Sequence, residues 1–187
     1  MGVVIGMMIF VVIALMVCVL IIGLYNSLVR KRNSVDNAWA HIRVQLERRH
    51  ELIPNLVQAV KGYAAHERRT FEAVADARAM AIAAHGPAAQ ARAEDALTKA
   101  LRSVFAVAEA YPRLQASRNF SELQSELSDT ENRIAYARQY YNDAVLSFNG
   151  AVQTLPSNIV AGALGFEARE FFSAPETDRV VVAVDFS

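Results

Sequence analysis

Cysteine is almost missing from this chain. It occurs once, at Cys18, so no internal disulfide forms. Glycine and proline are also few, eight and five in 187 residues. None of the glycines makes a phosphate-cradling loop or a Gly-x-Ser-x-Gly elbow, which excludes a P-loop and an elbow-type serine nucleophile. Neither sign of charge is in excess, 19 Lys and Arg against 19 Asp and Glu, and the one basic block is Arg30-Lys31-Arg32. Nucleic-acid binding therefore has no electrostatic footprint. No internal repeat is present. One further absence is of charge itself: nothing from Val3 to Leu24 is ionisable except the buried-type thiol of Cys18.

That uncharged run is what the chain is organised around. About 22 residues at 1.5 Å rise give a helix of roughly 33 Å, enough for a hydrocarbon core of about 30 Å. Tyr25-Asn26 and then Arg30-Lys31-Arg32 follow it, an interfacial aromatic and a basic stop. A cleaved signal would need a basic start and a small-x-small exit, and neither is there. A lipoprotein signal needs a small residue before its cysteine, whereas Cys18 follows Leu15-Met16-Val17. Myristoylation needs Ser or Thr where Gly6 stands. A soluble core helix would not stay uncharged so long. The expectation is a single-pass anchor in the cell membrane, Val3 to Leu24, with Cys18 an apolar filler. Since the cations lie after the span, the positive-inside rule puts the N-terminus outside and residues 33–187 in the cytoplasm.

The rest reads as all-α: an elongated antiparallel bundle of about four long helices, then an irregular, extended C-terminal tail. The implied divisions are an anchor (1–29), a helical bundle (30–157) and a tail (158–187). Val35, Trp39, Ile42, Leu46, Ile53, Leu56, Val60 and Tyr63 recur at steps of mostly three and four, predicting a helix from Asn33 to about Ala65. Nothing between Leu24 and Val35 breaks a helix, so it continues out of the membrane. Pro54 cannot donate to the His50 carbonyl, which predicts a kink within one helix. A second helix is expected over His66–Ala84, ended by His85-Gly86-Pro87. A third covers Ala88–Tyr111, with Leu97, Leu101, Val104 and Ala108 in register. Asn119-Phe120-Ser121-Glu122 reads as a capping-box variant opening a fourth. Its stripe is Leu123, Leu127, Ile134, Tyr141, Val145, Phe148, Val152 and Leu155, close to a heptad repeat. In the tail, Val180 to Val184 suits a strand, either added to another chain's edge or left as a loose terminus.

Catalytic and metal patterns fail on their own spacing. Glu47-x-x-His50 has the di-iron bundle spacing, but His41, His66 and His85 lack the matching glutamate. His50-Glu51 begins like a zinc-protease helix, yet Pro54 occupies the second histidine's place. The other carboxylates lie near arginines at helical spacing and read as a solvated, salt-bridged face. No cofactor, metal or small-molecule substrate is expected. Polar residues close to the apolar stripes stand out more. Gln45, Asn55, Asn132, Arg133 and Asn142, with Arg48, Arg49 and Pro54, form a suspected interaction or structural motif joining the first and fourth helices. Fixing register in a long bundle is the simplest role for such groups.

The same segments carry a family resemblance. Tyr25-Asn26-Ser27-Leu28-Val29, Ala38-Trp39, the run Val44 to Val57 containing Leu52-Ile53-Pro54-Asn55-Leu56-Val57, and Val60-Lys61-Gly62-Tyr63-Ala64 resemble the LemA family. So do His66-Glu67, Ala108 to Pro112, Glu131-Asn132-Arg133-Ile134, Tyr141 to Val145, Phe148-Asn149, Pro156-Ser157-Asn158 and Asp185-Phe186. The resemblance implies a membrane anchor, a long-helix bundle and no established enzymatic activity. Arg43 stands where the family usually has an acid, which removes a carboxylate from any metal reading. Some members carry a lipoprotein signal instead of a span; Arg30-Lys31-Arg32 argues against that arrangement here. The expected function is a non-enzymatic, membrane-anchored scaffold or adaptor of the bacterial cell envelope. Its partners would be the lipid bilayer, further copies of itself, or other membrane proteins. By family analogy, the alternative is a regulatory partner of a membrane protease or envelope-stress system.

Overall fold

The uninterrupted pattern from the apolar run into the first amphipathic stripe becomes a single helix. In the computed structural model, which describes residues 1–173, α1 runs Gly2–Lys61. It contains one segment long and apolar enough to cross a membrane, and the side chains from Val3 to Ile22 are exposed. Pro54 lies inside the helix without ending it. Gly62 follows the last helical residue, Lys61, and a short turn leads to α2, Arg68–Ala83. His85-Gly86 then reverses the chain. Gly86 has φ +84°, a left-handed conformation that a side chain would strain. Pro87, whose missing N–H is harmless in a first turn, opens α3, Pro87–Glu109.

A one-turn helix, α4 (Pro112–Gln115), precedes α5, Arg118–Gln153. The expected cap at Asn119 is not the start. The helix begins at Arg118, and the Ser121 N–H reaches the Ser117 carbonyl. Glu122 accepts a hydrogen bond from Arg118 Nε at 2.7 Å instead of turning back to Asn119. A paired guanidinium on the same helix face competes with the capping box for that carboxylate. The tail is not wholly irregular either, since α6 occupies Ser157–Ala163. Val160 and Ala161 are buried, and that burial supports a helix too short to stand alone. Beyond it the chain is non-helical to Ser173. Among the described residues there is no strand; the valine-rich segment 180–184 lies outside them.

The chain packs as two units. The first comprises Met1–Ile42 with Gln139–Arg169. It buries Leu28, Val35, Ala38 and Ile42 on α1, and Tyr141, Val145 and Phe148 on α5. The Trp39 and Tyr141 rings are 5.5 Å apart. Lys31 donates to Ser147 Oγ, and the Arg32 guanidinium lies 5.3 Å from the Phe166 ring centroid. Phe166 also meets Tyr25 and Phe148, at 6.0 and 6.4 Å. Past α6, the Asn149 amide pins the chain by pairing with both the N–H and the carbonyl of Arg169.

Among the described residues, the second unit comprises Arg43–Arg138 with 170–173. Its core joins Ile53, Leu56 and Val60 of α1, Phe71 and Val74 of α2, Leu97, Leu101 and Val104 of α3, and Phe120, Leu123 and Leu127 of α5. The near-heptad stripes are therefore the buried faces, with exceptions at their ends. Tyr63 and Leu155 are exposed, and Trp39 is half-buried.

Candidate polar site in the helical core

Three of the apolar stripes are interrupted by polar residues in register. On α1 the interval from Leu46 to Ile53 is bridged by Arg49 and His50. On α3 the stripe runs back from Leu97 to Glu94 and Gln90, and on α5 Thr130 stands between Leu127 and Ile134. All five are buried, and Glu94 is 0% exposed. A carboxylate taken so far from water needs partners on both oxygens.

It has them. Arg49 Nη1 donates to Glu94 Oε2 at 2.8 Å. His50 Nε2 lies 2.8 Å from Oε1, and Gln90 Nε2 donates to the same oxygen at 2.9 Å. Because a carboxylate only accepts, the tautomer that completes this pattern carries its proton on Nε2. The second guanidinium nitrogen of Arg49 donates to Thr98 Oγ1 at 2.7 Å and pairs with Glu131 at 3.1 Å. Thr98 in turn donates to the Glu94 carbonyl. Burial alone would raise the Glu94 carboxyl. The His50 hydrogen bond, the charges of His50 and Arg49, and the Gln90 amide together hold it below its ordinary value near 4.5.

One turn further along α1, Pro54 has no N–H for the His50 carbonyl. That carbonyl accepts a hydrogen bond from Arg78 Nε of α2 at 2.8 Å. The vacancy left by the proline is thus filled by a neighbouring helix. Arg49 and His50, adjacent in sequence, face two open clefts. One, of about 390 Å³, is lined by Arg49, Arg102, Phe105, Glu131 and Asn132 among others. The other, of about 450 Å³, is lined by His50, Arg43, Glu47, Arg78 and Gln90 among others.

The structure separates the residues of the suspected motif. Arg49 alone of them enters the network and connects α1 to α3 and, through Glu131, to α5. Arg48, Pro54, Asn55, Asn132 and Arg133 are exposed, so these five do not lie in the core. Adjacency to a stripe in sequence put them at its solvent edge. Gln45 and Asn142 are half-buried. Glu47 and Glu51 are exposed, and neither makes the His50 contact; that carboxylate comes from Glu94. Glu94 and Gln90 lie N-terminal to Leu97, where the α3 stripe changes from apolar to polar residues and its hydrophobic signal ends. Extending the same three- and four-residue steps backward lands on both. Among the described residues no three His, Cys, Asp or Glu side chains gather as a metal-binding group. What the donor set makes is a saturated ion-pair network that joins three helices.

Comparison with known proteins gives a family and a set of relatives. Residues 38–186 match the LemA family. Protein LemA of Metamycoplasma hominis is 28% identical over 165 residues, covering 86% of this chain and 74% of that protein. Magnetosome protein MamQ 2 of Paramagnetospirillum magneticum is 26% identical over 185 residues, covering 84% of this chain and 68% of that protein. Magnetosome protein MamQ of Magnetospirillum gryphiswaldense is 25% identical with the same coverage.

Proposed function

The chain belongs to the LemA family, and from that membership we propose that it is a non-enzymatic, membrane-anchored scaffold that holds protein partners or further copies of itself at the cell membrane. The observation that carries this reading is the continuity of α1. The apolar segment and the first bundle helix are one element, Gly2–Lys61, with no linker between them. A leash would separate anchor and bundle, whereas a continuous helix carries the apolar segment directly into the α1–α5 packing of the first unit. The buried network points the same way. Its ion pairs run from Arg49 and His50 of α1 to Glu94 of α3 and Glu131 of α5, as suits a framework that specifies register. The two magnetosome proteins among the relatives are named for the magnetosome and not for a reaction. With Arg30-Lys31-Arg32 retained on the cytoplasmic side, the bundle works in the cytoplasm.

The test is assembly. Detergent-solubilised full-length protein is measured by size-exclusion chromatography with light scattering, and partners are crosslinked in intact cells. Self-association or a reproducible membrane-protein partner is the expected outcome. A strictly monomeric protein with no partner retrieved would sink the reading.

A further inference from the structure

A second apolar surface lies where the chain comes back toward the span. From Ala144 to Phe166 the sequence has no charged residue, although this stretch includes the end of α5, a loop and α6. Ser147, Gln153 and Thr154 are its exposed polar side chains, and around α6 the large exposed side chains are apolar. Leu155 before α6, Ile159 within it and Leu164 just after it are 75%, 66% and 54% exposed, while Val160 and Ala161 of α6 face inward. A water-facing helix normally puts charge on its outer side. Here there is none.

The level of this surface follows from the antiparallel register within the first unit. Tyr141 lies beside Trp39, and Ser147 beside Lys31. Both helices rise 1.5 Å per residue, so about six more residues take α5 to its end at Gln153, at the level of Tyr25, and Thr154 and Leu155 follow directly. Phe166 fixes the return independently. Its ring meets Tyr25, and its N–H donates to the Ala161 carbonyl at the end of α6. The uncharged turn and α6 therefore sit beside the exit of the apolar segment.

We propose that Leu155, Ile159 and Leu164 insert into the headgroup–acyl boundary of the same bilayer leaflet that α1 leaves, making the end of the bundle a second, interfacial membrane contact. The proposal rests on Val3–Leu24 being a span. Its ligand is a lipid surface, chosen because the uncharged patch stands at the level where the exposed apolar segment of α1 ends. Apolar side chains of an interfacial segment reach about 5–10 Å into that boundary. Arg32 and Lys31 stand just beyond it, held by Phe166 and Ser147, where cations meet lipid headgroups.

Site-directed spin labelling of the full chain in liposomes tests this. In a Cys18→Ala background, labels are placed through Leu155→Cys, Ile159→Cys and Leu164→Cys, with Ile13→Cys in the span and Asn132→Cys on the bundle surface as references. Collision with oxygen, which concentrates in lipid, is compared with collision with a water-soluble nickel chelate. The oxygen-to-chelate ratio is expected to be several-fold higher at 155, 159 and 164 than at 132, and lower than at 13. A lipid-like ratio at 13 with water-like ratios at the three positions overturns the interfacial contact and leaves the anchor standing. A water-like ratio at 13 overturns the anchor and the inference with it. Low access to both reagents, with dipolar broadening between copies, overturns lipid as the occupant in favour of a second copy.

Discussion

Glu94 shows at the level of one residue how the bundle tolerates a buried charge. Its two oxygens are shared among Arg49, His50 and Gln90, so removing the charge leaves a guanidinium that is 3% exposed facing a neutral group. Glu94→Gln is expected to lower stability by about 3–5 kcal/mol, read by thermal or urea unfolding of the full chain in detergent; a loss under about 1 kcal/mol would show that Arg49 finds other partners. The pH dependence has a definite sign. The folded carboxyl titrates below its ordinary value near 4.5. Its stabilisation is therefore complete above about pH 4.5 and lost as the pH falls through the lowered folded value, where the unfolded chain already binds the proton. Wild type should lose stability more steeply than Glu94→Gln below pH 4.5, and equal slopes would contradict the network. This residue was readable as a carboxylate at a stripe position, since it falls in step with Leu97 and Leu101. That its partners are Arg49 and His50 was not readable, because three helices between residues 49 and 94 could be stacked in several registers. Local periodicity says which face is buried and not which face meets it.

At the scale of the helical element, Pro54 couples two helices through something it lacks. Without its N–H, the His50 carbonyl depends on Arg78. Arg78→Met should cost about 1–3 kcal/mol in the wild type by leaving that carbonyl unpaired. In a Pro54→Ala background the helix supplies its own donor, so the same change should cost less. The double-mutant cycle is expected to give a coupling of about 1 kcal/mol, and strict additivity would argue against the link. The extent of each long helix was legible from stripe steps and from the Gly and Pro stops, and α1 through α3 end within a few residues of those marks. The short α4 and α6 were not legible. Each is held by burying a few side chains, Leu114 in one and Val160 with Ala161 in the other, and tertiary burial leaves no periodic trace in so short a stretch.

For the whole molecule, the membrane connection decides what is exposed to attack. Arg30, Lys31 and Arg32 lie within α1 and are attractive to trypsin by sequence, yet they are helical, and two of them are held by Ser147 and Phe166. Limited trypsin digestion of the liposome-inserted protein should cut first near Lys61, where α1 gives way to a turn, and only later at 30–32. Early cleavage at 30–32 would mean a flexible joint. The uninterrupted path from Val3 to Trp39 also bears on membrane thickness. A span with a hinge meets a thin bilayer by bending at the hinge; the span proposed for α1 has no break before Trp39 and would answer hydrophobic mismatch by leaning. In a thinner bilayer, the lean of the span is carried by the same helix to the Trp39–Tyr141 level of the first unit. On the proposed anchoring, lipid thickness would thereby become an angle of presentation, and the anchor a gauge as well as a tether.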